Sequence, residues 1–301
     1  MLPPSAVILR PRLPAKKQHR YPIPKNVSPV RLLRYYGGSP MYQVSIEVGE
    51  VPIRVRVSDP DFVSLLERRY SGFLGSNGGG ELLDVELHPP AEDADAEITV
   101  RHCDGQWLIQ RGDFQATWQP VAHRGTVRQA PSPYALDSAL RIFHSLLLSE
   151  QGGFLVHGAS AIRNGKSYFF AGVSGAGKTT LARMAPPDVT VLSDEISYIR
   201  KRGSEYVAYG TPFAGELGKV GANVSAPLAA WFMLVQGQEN RLEAIHNQAE
   251  GVRSLMQNVL FFAAEPEWTA HIFHGVCDFV ARVPGHQMIF RREPAAWDLI
   301  R

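Results

Sequence analysis

The run Gly172-Val-Ser-Gly-Ala-Gly-Lys-Thr179 constrains this chain more than any other segment. Its three glycines keep side-chain bulk out of a stretch that must turn sharply, and glycine enters the left-handed backbone region freely. The mainly apolar run Lys166–Ala171 reads as a strand feeding the loop. Thr180, Leu181, Ala182 and Met184 read as a helix leaving it, stopped by Pro186-Pro187. Strand, glycine loop and helix form the setting in which G-x-x-x-x-G-K-[ST] cradles a phosphate. Glycines leave the backbone N–H groups unobstructed, and the positive end of the helix faces the same anion. An α/β fold with a mixed sheet is therefore expected around this loop.

The chemistry follows residue by residue. Gly172, Val173, Ser174, Gly175, Ala176, Gly177, Lys178, Thr179 and Thr180 are expected to hold the phosphates of ATP. Lys178 can bridge the β- and γ-phosphates, and the Thr179 hydroxyl can ligate Mg²⁺. Such a site needs a second acidic metal anchor at the end of a neighbouring strand. Val189–Leu192 supplies that strand and Ser193-Asp194-Glu195 the acids. Asp194 is the expected second metal ligand. Glu195 divides between catalysis and a solvated strand end.

The remaining sequence sets this loop in context. A chain of 301 residues with 45% hydrophobic and 20% charged side chains can bury a full core. Its apolar runs, such as Ala229–Val235, are too short to cross a bilayer. The two cysteines, Cys103 and Cys277, lack a partner motif and read as small buried side chains in a reducing cytoplasm. The segment from Met1 to Ile46 holds eight of the 31 Lys and Arg residues and no acid. Residues 1–40 are accordingly expected to be a disordered, basic, Pro-rich arm, with Met41 as an alternative start. Neither a membrane nor a nucleic acid is expected as partner, since no folded basic face or aromatic interleaving accompanies the charge.

Residues 41–130 read as a small, mainly antiparallel α+β module. Tyr42–Val48, Val51–Val57, Leu83–Leu87, Glu97–His102, Trp107–Arg111 and Phe114–Trp118 are its strands, with a short helix opened by Asp59-Pro60. The run Gly75–Gly80 lacks a lysine and opens no helix, so it reads as a connector. Residues 131–301 then form the catalytic domain. Ser132-Pro133 opens a helix with Leu136, Ala139, Leu140, Phe143, Leu146 and Leu147 on one face. Phe154–Arg163 and Lys166–Ala171 are strands joined by Asn164-Gly165, a two-residue hairpin signal. Pro227–Val235 is a strand for the centre of a covered sheet. Val252, Leu255, Met256, Val259 and Leu260 mark a helix, and Glu293-Pro294 a terminal helix through Trp297 docked on this domain. Glu216 and Lys219 are candidate substrate or metal contacts, while Arg253 divides between a phosphate contact and a solvated surface.

An antiparallel hairpin ahead of the glycine loop is unusual, and it carries a resemblance. His157-Gly158, then Gly172–Thr179, then Ser193-Asp194-Glu195 resemble the catalytic domain of HPr kinase/phosphorylase, related to ATP-dependent phosphoenolpyruvate carboxykinase. The segment Gly210-Thr-Pro-Phe-Ala-Gly-Glu216 is similar to one in HPr-kinase-related proteins, including kinases found beside peptide-modifying gene clusters. The resemblance implies that His157 sits beside the transferring phosphate. It also implies an acidic pair, one member a metal ligand and one the base. The pair is Asp194-Glu195 or, in the other register, Ser193-Asp194, and the base is Asp194, Glu195 or His157. The arginine- and glycine-rich signature that follows the pair in that family is absent here, so HPr is not the expected acceptor.

The leading expectation is a cytoplasmic Mg²⁺-ATP-dependent kinase with His157, Lys178, Asp194 and Glu195 as its catalytic residues. The acceptor would be a hydroxyl, Ser or Thr of a peptide or small protein. Alternatives are a small-molecule hydroxyl kinase of the same fold and a nucleotide-binding switch or adaptor with slow ATPase activity. Homo-oligomerisation is left open.

Overall fold

Alternating apolar residues build the first sheet. This computed structural model describes residues 31–33, 40–75, 79–89, 96–213, 215, 217–218 and 220–300. Arg31–Leu33 (β1), Met41–Val48 (β2) and Val51–Val57 (β3) lead into helix Pro60–Arg69 (α1). Asp59 caps α1 by accepting from the amides of Asp61 and Phe62 at 2.8 and 3.0 Å. Glu81–Leu87 (β4), Thr99–Cys103 (β5), Gln106–Arg111 (β6), Phe114–Gln119 (β7) and Arg124–Gln129 (β8) complete the sheet in the order β1-β2-β3-β4-β8-β7-β6-β5.

Three expectations change here. Most of the expected arm lies outside the described residues, but β1 pairs with the edge of β2 and so is a strand. The sheet is mainly antiparallel, with β4 running parallel to β3 and to β8. The crossover through α1 gives the first parallel pair the length of connection it needs. β8 escaped the sequence reading because Arg124, Thr126 and Arg128 alternate with only Gly125 and Val127 ahead of polar Gln129. Cys103, expected to be buried, is exposed on the edge strand β5.

Helix Pro133–Glu150 (α2) follows. Ser132 occupies the cap position without a side-chain bond, and the Gln129 amide instead donates to the carbonyls of Ala130 and Ser132. Leu136, Ala139, Leu140, Phe143 and Leu146 are buried, and Leu147 partly so. The apolar face of α2 joins one core with side chains of the first sheet (Val55, Leu83, Trp118) and of the second (Leu155, Phe169, Trp231).

The second sheet carries the glycine loop. Its first members are Phe154–His157 (β9), Ala159–Arg163 (β10) and Lys166–Ala171 (β11). Lys178–Arg183 (α3), Val189–Ser193 (β12), Ile196–Arg202 (β13), Glu205–Tyr209 (β14) and Ser225–Gln236 (β15) come next. Arg241–Ala244 (β16), Gln248–Met256 (α4), Pro266–Arg282 (α5) and Gly285–Phe290 (β17) finish it. The run expected as one strand, Phe154–Arg163, is two. β9 pairs with β13, whereas β10 pairs with β11 and β12. Gly158 is the break: a Cβ there would lie 2.4 Å from the Phe169 ring and 2.5 Å from the Phe170 carbonyl oxygen. Asn164 and Gly165, with φ of 53° and 74°, make the expected hairpin turn.

β15 lies parallel to both β11 and β17, so Ala171, Gln236 and Phe290 bring three carboxyl ends to one edge. These strands are covered on both faces. Phe169, Ala171 and Trp231 face the main core. Tyr168, Phe170, Phe232 and Leu234 face a second core with Leu181, Met288, Phe290 and Trp297. The terminal helix is a 3-10 turn, Pro294–Leu299, rather than an α-helix. It docks as expected, the Trp297 indole donating to the Leu181 carbonyl at 3.0 Å.

Candidate functional site

The loop leaves β11 where the carboxyl ends of β15 and β17 meet it, the edge at which open α/β sheets receive ligands. Gly177, with φ of 107°, turns the chain into α3 and lies against Phe290, where a Cβ would come 2.8 Å from Cζ. Val173, Ser174 and Gly175 are exposed, whereas Lys178 is buried. The Lys178 ammonium folds back into the loop and donates to the carbonyls of Gly172 at 2.7 Å and Val173 at 3.2 Å. The Gln236 side chain at the end of β15 donates to the Gly175 carbonyl. Among the described residues, the amides of Ser174, Gly175, Gly177 and Thr179 donate to no backbone carbonyl. A loop with a buried cation and four amides that donate to no backbone carbonyl fits a phosphate, and Thr179 and Thr180, which follow Lys178, are part-exposed.

His157 ends β9 and is brought to the same edge. Its backbone amide donates to the Asn258 carbonyl at 2.7 Å, and the next amide, Gly158, donates to the Glu195 carbonyl at 2.8 Å. Burial, and then the nearby Lys178 ammonium, push the imidazole down to about 4, against a hydrogen bond to the Glu195 backbone. The ring is therefore neutral at pH 7. His157 and Lys178 stand within electrostatic reach of each other, as a shared site requires.

The acidic residues follow β12. Ser193 Oγ accepts from the amides of Glu195 at 3.2 Å and Ile196 at 3.0 Å, turning the chain from β12 into β13. Asp194 is only 5% exposed, and Glu195 is half-buried. The Asp194 carboxylate grips the segment that follows β14: Oδ1 accepts from the Gly215 amide at 3.1 Å and Oδ2 from the Leu217 amide at 2.9 Å. Each oxygen retains lone pairs for a further ligand. The strap is pinned at its start by Thr211, whose amide donates to the Leu192 carbonyl and whose hydroxyl donates to that of Ile196. Phe213 is buried beneath it, with the Arg141 guanidinium of α2 5.0 Å from the ring centroid.

β12 leads into Asp194 but is not the direct neighbour of β11. It pairs antiparallel with β10, in the order β12-β10-β11. Among the described residues no group of three or more His, Cys, Asp or Glu side chains assembles to hold a metal. The set expected for Mg²⁺, Thr179 and Asp194, is smaller than that. Glu216 and Lys219 lie outside the described residues, and Arg253 is exposed on α4. Asn258 and Gln236 were missed by sequence reasoning. The available signal for Asn258 was one polar residue ahead of the apolar run Val259-Leu-Phe-Phe262; Gln236 carried none.

A family model described as SynChlorMet cassette protein ScmC matches residues 136–299, from α2 to the terminal 3-10 turn. No curated protein sequence matches the chain. One solved structure, the HPr(Ser) kinase/phosphatase from Coxiella burnetii, aligns with 46% of this chain and 85% of its own at 8% identity. Its TM-score of 0.25 is too low for the likeness to carry weight. No helix among the described residues is long and apolar enough to cross a membrane.

Proposed function

The chain belongs to the family of SynChlorMet cassette protein ScmC, and we propose that it is a Mg²⁺-ATP-dependent phosphotransferase acting on a hydroxyl. One observation carries the reading. The sequence G-x-x-x-x-G-K-T folds as a strand-to-helix loop with the Lys178 ammonium buried against it and four of its amides donating to no backbone carbonyl. Gly172 to Thr180 would hold the triphosphate, and Thr179 with Asp194 would hold Mg²⁺. Bound ATP would supply the phosphoryl group. Lys178 and the loop amides would stabilise charge on the phosphate oxygens, a preorganised electrostatic effect. The resemblance of the His157, loop and Asp194-Glu195 pattern to HPr kinase/phosphorylase supports the same assignment.

The chain's own residues divide the remaining work. His157, held neutral, can accept a hydroxyl proton at a ring nitrogen, although its depressed basicity makes it a weak base. Glu195, half-buried and next to Ile196, the residue that pairs with His157 across β13 and β9, is the alternative base. Asp194 holds the strap through Gly215 and Leu217, placing that segment beside the acids as one wall of an acceptor site. The acceptor is Ser or Thr of a peptide or small protein in this reading, with a small-molecule hydroxyl as the other outcome. The occupied Asp194 carboxylate favours one second reading, a nucleotide-binding switch with slow hydrolysis. Transfer of label from γ-³²P-ATP to components of a cell lysate tests the proposal. A labelled peptide, protein or metabolite that disappears with Lys178→Ala supports it. Labelled inorganic phosphate alone favours the switch.

A further inference from the structure

We infer that Asn258 is a positioning residue that ties the first residue of the glycine loop to His157, an inference that rests on the phosphotransferase reading of this site. Three elements converge on this one residue, two on its side chain and one on its backbone carbonyl. Asn258 follows the last turn of α4, its own amide donating to the Leu255 carbonyl at 2.9 Å. Its Nδ2 donates to the Ser254 carbonyl at 3.0 Å, which fixes the orientation of the side-chain amide. Oδ1 then points at the Gly172 amide and accepts from it at 3.3 Å. The backbone carbonyl of the same residue accepts from the His157 amide at 2.7 Å. The following residues run along β9, with Val259 bridging Val156 and the Leu260 amide donating to the Leu155 carbonyl.

The consequence reaches the chemistry through Gly172. Its amide stands at the end of the β11 ladder, and the Asn258 side chain is its acceptor. Its carbonyl is the nearer of the two on which the Lys178 ammonium rests. Orienting Gly172 therefore orients the seat of that ammonium. The same asparagine holds the backbone of the imidazole that feels its charge. Asn258 touches none of the reacting groups and acts through Gly172 and His157. It sets the spacing between cation and imidazole. Alanine at this position leaves the Gly172 amide buried without an acceptor, whereas aspartate keeps that acceptor and sets an oxygen against the Ser254 carbonyl in place of the donor.

The test uses the full chain and two variants, Asn258→Ala and Asn258→Asp. Amide hydrogen exchange without nucleotide is the first readout. Exchange at Gly172 should accelerate by roughly tenfold or more in Asn258→Ala and stay near wild type in Asn258→Asp. Steady-state hydrolysis of Mg²⁺-ATP is the second readout. Asn258→Ala should lower kcat by on the order of tenfold or more and move KM by less than about threefold, with aspartate recovering most of the loss. Unchanged exchange at Gly172 in the alanine variant overturns the inference, whatever the kinetics. If the alanine variant does not fold, the aspartate variant decides: lost protection at Gly172 overturns the inference, and retained protection supports it. A wild-type chain that binds no ATP sinks the phosphotransferase reading instead, and the exchange result still decides whether Asn258 holds the loop.

Discussion

Replacing Asp194 by asparagine should destabilise the protein before any metal or nucleotide is added. The carboxylate is buried and accepts two backbone amides of the strap, from Gly215 at 3.1 Å and Leu217 at 2.9 Å. Asparagine keeps one oxygen, so one amide retains an acceptor and the other faces an NH₂ group. Losing a hydrogen bond to a charged group costs about 1.5–3 kcal/mol, and a stranded buried donor adds about 1–3 kcal/mol where water cannot reach it. Partial relaxation of the strap brings the expected loss to about 2–4 kcal/mol. At roughly 2–4 °C per kcal/mol in chains of this size, the melting temperature should fall by about 4–16 °C. Gly215→Ala attacks the same contact from the other side, because its Cβ would lie 2.8 Å from Asp194 Oδ2 and 2.6 Å from Glu195 Cβ. The two losses should therefore add to less than their sum in the double variant. Thermal unfolding of wild type, both single variants and the double variant decides the matter. An unchanged melting temperature in Asp194→Asn, or full additivity with Gly215→Ala, would refute the idea that this acid anchors the strap.

Three further outcomes are expected. His144 is wholly buried in α2, and burial pushes its imidazole down to about 3, below the unfolded value near 6.5. Stability from this group is present above pH 6.5 and lost as pH falls toward 3, on the order of 2 kcal/mol by pH 5; His157, also held low, acts in the same direction. Urea midpoints at pH 8 and pH 5 should converge in His144→Phe, and an unchanged pH slope would contradict this. Glu195→Gln and His157→Ala should leave ATP affinity near wild type, with turnover down by on the order of 10²–10⁴ in whichever variant has lost the base; full turnover in both excludes each from that role. Trp297→Ala should cost about 3–5 kcal/mol in urea unfolding, since the indole is buried and donates to Leu181 of the helix that follows the loop; a cost under about 1 kcal/mol would show that the chain end is not part of this core.

The glycine loop was legible because its requirements are local: a strand, a backbone that turns, a helix and a lysine adjoin in sequence. The strand periodicity of β2 and β3 and the apolar stripe of α2 were legible for the same reason. What the sequence hid is tertiary. Phe154–Arg163 reads as one strand because its apolar content is continuous, yet the Phe169 ring and Phe170 carbonyl leave no space at Gly158 for more than a hydrogen. Parallel pairing of β4 with both neighbours leaves no trace in its own residues. α5 went unread although Glu265-Pro266 opens it, since Trp268, Ile272, Val276 and Phe279 are separated by histidines, a glycine and a cysteine. In the site, Lys178 was assigned from its motif. Asn258 reaches Gly172 across 86 positions, a separation that no local pattern encodes.

The central claim is that the Gly172–Thr179 loop binds a nucleotide through Lys178, and calorimetric titration of the full chain with Mg²⁺-ATP tests it most directly. Wild type should bind one equivalent with a dissociation constant at or below the millimolar range. Lys178→Ala should lose most of that binding, because it removes the one ammonium held inside the loop. Its unliganded melting temperature should stay within a few degrees of wild type: two loop hydrogen bonds disappear, but so does the burial of a charge. Saturable binding in wild type, abolished in a folded Lys178→Ala variant, is the predicted result. Equal binding by both proteins, or no binding by wild type, would contradict the account.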